Sequence, residues 1–332
     1  MRSRQHAILG RLGRPAGSRR GFLGPPGSLQ AFLVQPGSRR AFLRLAILGL
    51  VTLGFSSAGC APSPGFVPST KDLVEGHYAT AARMKTRDTA TPDSLIVVSY
   101  NIQYGDHIPL AAKDLCSNRR LRAADLIFLQ EMDPTGTRTL ARELGYDFVY
   151  FPASRHPKHH RLFGNAILSR WRIFNPRLVL LSHEGLLAGT QRVAVLATID
   201  LGRLHLRVAN VHTTTIITPR EQRLQQFDEI LGEFPPAASL ALVAGDFNTV
   251  SGNDTARLRD MFRRSGFRMA RLPEGPSIRT RRAALLDSMP VLDHIFYRGL
   301  SFASAGIQST AKASDHYPIW AVFALPNENH RR

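Results

Sequence analysis

Asn101, Glu131, Asp246, Asn248, Asp293, Asp315 and His316 each stand where an apolar run ends or begins, within Ser99-Tyr-Asn101, Leu129-Gln-Glu131, Gly245-Asp-Phe-Asn248, Leu292-Asp-His294 and Ser314-Asp-His316. Burying an unpaired carboxylate is costly, so four of them with two amides and an imidazole at strand ends predict one polar cleft with a metal in it. Asp246 and Asn248, two positions apart, share one side of an extended chain. There an acid can orient or deprotonate a water and an amide can donate to a phosphate oxygen; the plain alternative is a turn that closes a strand. Asp315 and His316 are neighbours whose side chains diverge, so the carboxylate that orients His316 is expected to be Asp293. Such a pairing fixes the tautomer and favours the imidazolium, which suits a general base or a phosphate-binding acid. Glu131 suits a hard divalent cation, which takes carboxylate oxygens, waters and substrate phosphate. Taken alone, Asn101 reads as a turn amide, and His212 as either a phosphoryl contact or a satisfied structural ring.

Holding these residues together requires many strands. Period-2 and apolar runs predict ten, at 95–101, 125–130, 147–151, 165–169, 178–182, 192–200, 204–212, 240–244, 294–297 and 317–323. Helices fit 109–122, 135–144, 219–233 and 255–265, with Thr218 as cap and Pro219 in the first turn of the third. Ten strands with four helices are too strand-rich for one doubly wound sheet. Two sheets packed face to face, helices outside, would bury them better.

The first sixty residues stand apart. Residues 15–44 are three imperfect decapeptides, PAGSRRGFLG, PPGSLQAFLV and QPGSRRAFLR, whose Pro and Gly at a fixed period offer no face to pack. The last contains Ser38-Arg-Arg-Ala-Phe-Leu-Arg44, which resembles a twin-arginine export sequence, and it runs into the apolar stretch 45–55. That stretch is too short to span a bilayer. Ser57-Ala-Gly-Cys60 then resembles a lipoprotein processing box, with Ser57 where Leu is usual. The chain is therefore expected to be exported and anchored to a membrane through lipidated Cys60; the alternative is an ordinary signal peptide cut after a small residue. Residues 1–60 are read as this signal segment, 61–93 as a tether with one short helix near 71–84, 94–326 as the catalytic domain and 327–332 as a tail.

Composition supports a sizeable core: 332 residues, 43% hydrophobic. The net charge of +18 is less telling than it looks, because residues 1–44 hold nine Arg and no acid, leaving 34 basic against 25 acidic groups, or +9, in 61–332. The chain is basic without being histone-like. With Cys60 assigned to processing, Cys116 has no partner, which excludes a disulfide framework.

Taken together, SYNIQ, FLQEMD, GNAILSR, NVHTT, AGDFN, LDHIF and SDHYP resemble, in order and rough spacing, the endonuclease/exonuclease/phosphatase superfamily, over about 94–325. That superfamily includes deoxyribonuclease-type nucleases, abasic-site endonucleases, inositol polyphosphate phosphatases and neutral sphingomyelinases. The resemblance implies an α/β fold, a four-layer α/β/β/α sandwich of two mainly antiparallel sheets with outer helices, and metal-dependent hydrolysis of a phosphoester with magnesium (manganese as the alternative ion). It implies Glu131 as principal metal ligand with Asn101 and Asp315 in the metal shell, Asp246 as the water-orienting acid and Asn248 as the phosphate-contacting amide. It makes His212 the histidine of the Thr-His-Leu strand, although Val211 and Thr213 depart from that motif, and Asp293 and His316 the carboxylate–histidine pair. It also implies in-line attack of water on phosphorus, with either Asp246 or the Asp293–His316 pair as base.

The ester is less legible. Nine arginines between 257 and 282 face only Asp260 and Glu274. They fit a nucleic-acid backbone, anionic lipid headgroups, or simply a solvated helix face and loop. The expected activity is that of a monomeric phosphodiesterase acting on DNA or phospholipid outside the cytoplasm. The competing class is a membrane-tethered binding module with the same fold and no catalysis; it would be expected to have lost at least one of the seven residues.

Overall fold

The computed structural model describes residues 77–79, 91–155, 161–185, 190–215, 217–236, 238–279 and 291–326. Residues 1–60, expected to be a signal segment, with Cys60, and the tail 327–332 lie outside them. Among them are thirteen strands in two sheets. The first sheet is built from β1 (His77–Ala79), β2 (Ser94–Asn101), β3 (Leu126–Met132), β4 (Asp147–Arg155), β5 (Leu162–Ser169), β12 (Ser301–Ile307) and β13 (Ile319–Ala324), in the order β1-β4-β5-β3-β2-β13-β12. The second runs β10-β11-β9-β8-β7-β6, from β6 (Arg172–Gly185), β7 (Thr190–Asp200), β8 (His205–His212), β9 (Ala241–Asp246), β10 (Arg268–Met269) and β11 (Asp293–Arg298). All ladders are antiparallel except β2–β3 and β8–β9.

Helices α1 (Ile108–Ser117), α2 (Arg119–Arg122) and α3 (Pro134–Leu144) belong to the first sheet's outer side, and α4 (Arg220–Gly232) and α5 (Gly252–Arg264) to the second's. The core explains the layering. Along β2, Leu95 and Val97 enter the inter-sheet core with Phe128, Val208, Leu242 and Phe323, whereas Val98 and Tyr100 face α1 and α3 among Leu115, Ile127 and Leu140. Both faces are covered, so β2 reads as a continuous apolar run. Behind the second sheet, Phe227, Leu258 and Phe262 of α4 and α5 pack on Val243 and Phe296, with the Phe262 and Phe296 rings stacked 3.9 Å apart. The result is the α/β/β/α sandwich.

Three differences from expectation have local causes. The anticipated helix near 71–84 does not form at 77–79, where the backbone pairs with Phe148–Tyr150 of β4; those three residues of the supposed tether are an edge strand. The single helix over 109–122 breaks at Asn118, whose extended backbone and side-chain oxygen, accepting from Arg120 and Leu121 N–H, cap a new start. Pro219 is itself the cap residue of α4, with no side-chain cap bond, and the Thr218 hydroxyl is buried without a partner.

Candidate active site

The two parallel pairs decide where the chemistry sits. In β2–β3, Asn101 lies opposite Gln130, and in β8–β9, His212 lies opposite Asp246. Four strand ends therefore reach one rim of the sandwich, the position where open α/β sheets place ligands. β11 runs antiparallel to β9 and brings Asp293 opposite Asp246, and β13 begins just after His316. Gly245 permits the approach of β9 to β8: its φ is +149°, and a Cβ there would lie 1.9 Å from the Val211 carbonyl oxygen. Glu131 and Asn248 hold left-handed backbone, φ +58° and +51°. Strain of this kind costs about 1–3 kcal/mol at each residue and is retained where a side chain must be aimed.

All eight residues singled out in the sequence reach this rim. Asn101 is its tie: Nδ2 donates to Glu131 Oε1 at 3.2 Å and Asp246 Oδ2 at 3.1 Å, while Oδ1 accepts from Gln103 N–H. Asp246 Oδ1 accepts from Asn248 N–H at 2.9 Å, and the Asn248 amide donates to the Thr213 carbonyl. His316 Nδ1 stands 2.9 Å from Asp293 Oδ2, and its Nε2 faces Asp246 Oδ2 at 3.7 Å. His212 Nε2 is 3.7 Å from Asp246 and 3.8 Å from Glu131. Asp315 is exposed; its N–H donates to Gln103 Oε1, and its carboxylate interacts with both Glu131 and His316.

Electrostatics separates these groups. Burial pushes the Glu131 carboxyl up, and Asp315 adds to the rise. Burial pushes Asp246 up to about 7, Asp293 raising it further while His316, Asn248 and Asn101 oppose. Burial alone would lower His316, but Asp293 and Asp246 outweigh it and hold the ring well above its ordinary value. His212 goes the other way, lowered by burial, then by Arg192 and His316. One imidazole is thus a cation and the other neutral.

Arg192 joins the site although no motif in the sequence singles it out. Its Nη1 lies 2.9 and 3.1 Å from the two ring nitrogens of His212, and its Nε is buried without a partner. Register carried the clue, since Val193 pairs with His212. Gln103 and Tyr104 were passed over too. Tyr104 N–H donates to Glu131 Oε2, from two consecutive residues with φ of +45° and +60°.

The donor set fits a divalent metal. Glu131, Asp315 and Asp246 bring oxygen donors to one rim, and a cation would relieve the burial and repulsion that raise Glu131. Donor atoms of Asp246, Asp293 and His316 also lie within 4.8 Å of one another, and Asp293 Oδ1 is buried and unpartnered.

A profile of the Endonuclease/Exonuclease/phosphatase family matches residues 98–316, from β2 to His316. The chain belongs to that family. Its members are hydrolases of phosphoesters and commonly use divalent metals. A UPF0294 protein of Vibrio vulnificus is 31% identical over 123 residues, which make up 37% of this chain and 41% of that protein. One from Vibrio cholerae is 33% identical over 122 residues, with the same shares of the two chains. The chain thus spans about two fifths of the length of these relatives. Among solved structures, an endonuclease/exonuclease/phosphatase from Beutenbergia cavernae superposes with a TM-score of 0.58 at 17% identity, over 71% of this chain and 72% of that one. TDP2 of D. rerio, complexed with a single-strand DNA product, gives 0.54 at 19% over 70% and 99%. A Bacteroides thetaiotaomicron mannosyl-6-phosphatase gives 0.53 at 17% over 70% and 100%.

Proposed function

We propose that the protein is a magnesium-dependent phosphodiesterase that hydrolyses its ester by in-line attack of water. The observation that carries this is the convergence on Asp246: Asn101 Nδ2 donates to its Oδ2 at 3.1 Å, His212 Nε2 and His316 Nε2 each face the same oxygen at 3.7 Å, and Asp293 Oδ2 holds the other nitrogen of His316 at 2.9 Å. An imidazolium held by Asp293 is a poor base, so of the two candidates Asp246 takes the proton of the attacking water. The water oxygen bonds to phosphorus, the bond to the leaving oxygen breaks with its electron pair, and that oxygen takes a proton from solvent. His316 Nε2–H and an Asn248 amide hydrogen donate to the non-bridging oxygens, where negative charge accumulates. Arg192 adds a fixed positive charge beside His212 and reinforces the burial that disfavours protonation of that ring. Glu131, with Asp315 and Asn101, would hold the magnesium ion, which supplies Lewis-acid polarisation of a phosphoryl oxygen.

The solved relatives, one with a DNA product and one a sugar phosphatase, share the fold alone, so the choice between DNA and phospholipid rests on this chain's own surface. Export and anchoring through Cys60 are part of the proposal, supported by the twin-arginine-like segment, the apolar stretch and Ser57-Ala-Gly-Cys60. Radiolabelling with a lipid precursor checks it: a Cys60→Ala variant that stays labelled and membrane-bound would refute lipidation there.

Catalysis is tested with bis(p-nitrophenyl) phosphate, duplex DNA and sphingomyelin, with magnesium and with chelator. Turnover should require the metal, and kcat/KM should rise with pH through about 7 as Asp246 ionises. Asp246→Asn and His316→Ala should each lose at least about a hundredfold. If no ester turns over, the protein is the binding module instead.

A further inference from the structure

Between the C-terminal half of α1 and the loop joining β12 to β13 lies a cavity of about 240 Å³, lined by Lys113, Ser117, Asn118, Gln308, Thr310 and Lys312 among others. Both lysines are exposed, and neither has an ion-pair partner among the described residues. The acid in the lining, Asp114, is already engaged: its Oδ2 accepts from the Tyr100 hydroxyl at 3.1 Å and from Lys312 and Ala313 N–H, both at 2.8 Å. Residues 108–122 and 308–313 hold five cationic side chains against this one carboxylate. Exposed Arg119 and Arg120 follow Asn118 directly, with Arg120 poised over Trp320 at 5.4 Å. A polar hollow rimmed by cations, with hydroxyl donors from Ser117 and Thr310, is suited to an oxyanion.

Its position adds the chemistry. Lys312 precedes Asp315 by three residues, so their Cα atoms are at most about 10 Å apart. On that scale a strand bound at the rim brings its next phosphates within reach of the cavity. Tyr100, bonded to Asp114, directly precedes Asn101.

We infer that this cavity is a second phosphate subsite, occupied by one phosphate of a nucleic-acid strand while a neighbouring phosphodiester of the same strand lies at Asp246 and His316. The inference rests on the phosphodiesterase reading and narrows it: a nucleic acid carries a second phosphate at this reach, whereas a phospholipid with one phosphodiester does not.

The test is Lys113→Ala/Lys312→Ala in the full chain, assayed on a single-stranded oligodeoxynucleotide, on bis(p-nitrophenyl) phosphate and on sphingomyelin vesicles. The oligonucleotide KM should rise on the order of tenfold with kcat retained, and the salt dependence of log KM should flatten by about 0.7, the loss of one phosphate contact. Turnover of bis(p-nitrophenyl) phosphate, which has no second phosphate, should not change. An unchanged oligonucleotide KM, or an equal loss on both substrates, overturns the subsite, and a loss confined to sphingomyelin vesicles overturns it in favour of a lipid surface. Should the wild type cleave none of the three, the phosphodiesterase reading fails, and fluorescence anisotropy with the labelled oligonucleotide still decides: a Kd raised on the order of tenfold in the double variant supports the subsite, and an equal Kd refutes it.

Discussion

Glu131 carries the most conflict of any residue at the rim. It holds a left-handed backbone, it is mostly buried, and the nearby Asp315 carboxylate raises its pKa further. Each of these disfavours the folded, ionised state, and each is explained by the need to present oxygen donors to a cation. Glu131→Gln keeps the shape and an acceptor for Tyr104 N–H while removing the charge. It should lower kcat by at least about a hundredfold. In metal-free buffer its melting temperature should equal or exceed that of the wild type, because a buried charge has been deleted. A variant that melts well below wild type would mean the carboxylate is structural. His294, one residue after Asp293, shows the opposite case, a buried titratable group outside the chemistry. Its Nε2 lies 2.7 Å from Thr249 Oγ1, which donates to the Val291 carbonyl, so the ring carries a proton on Nε2. Burial lowers its pKa to about 4. The folded state therefore resists protonation: stability from this ring is complete above about pH 6.5 and is lost as pH falls towards 4, by about 3 kcal/mol. Urea titrations at pH 7 and pH 4 check this against His294→Phe, which should lose less stability over the interval than the wild type. Equal losses would place the acid sensitivity elsewhere.

The elements deliver these side chains through a buried polar layer just beneath the rim. Gln130 Nε2 donates to Asn210 Oδ1 at 2.6 Å across the two sheets, and Asn210 Nδ2 donates to the carbonyls of Leu129 and Ala166 at 2.8 and 2.7 Å. Gln130 adjoins Glu131 and Asn210 lies two residues before His212, so this contact sets how far apart the two halves of the site stand. Asn210→Leu would leave those partners buried and unpaired, at a cost of about 3 kcal/mol by equilibrium denaturation, with a fall in kcat. Stability within about 1 kcal/mol of wild type would show that the layer does not hold the sheets. At this scale the sequence was legible wherever a strand is an apolar run closed by a polar end: β2, β3, β8 and β9 could be read directly, and with them the carboxylate–imidazole pair. It was not legible where partners do the work. The stretch Ser301–Ile307 has small residues and little alternation, and it is a strand because β13 offers it an edge. His77–Ala79 is a strand only against β4. Arg192 was not legible because its importance comes from the cross-strand neighbour of Val193, which one sequence does not display.

For the whole molecule, the sandwich is an apolar body that gathers its charge conflict at one end. Three aromatic and aliphatic clusters fill the layers, whereas Glu131, Asp246, Asp293 and Asp315 meet at the rim. The unfolded chain separates these acids, so a divalent cation has no comparable site there, and binding must raise folding stability by mass action. At a hundred times its Kd, magnesium should add about 2.7 kcal/mol, which for a domain of this size raises the melting temperature by about 5 to 10 °C. Scanning calorimetry with magnesium, and again with excess chelator, reads the shift and its reversal. Glu131→Gln should abolish it, because the principal oxygen donor is lost, whereas Lys113→Ala/Lys312→Ala should retain it, because those cations lie outside the acid rim. A shift that persists in Glu131→Gln would mean that the stabilising ion binds away from this carboxylate, with the Asp246, Asp293 and His316 cluster as the place to look.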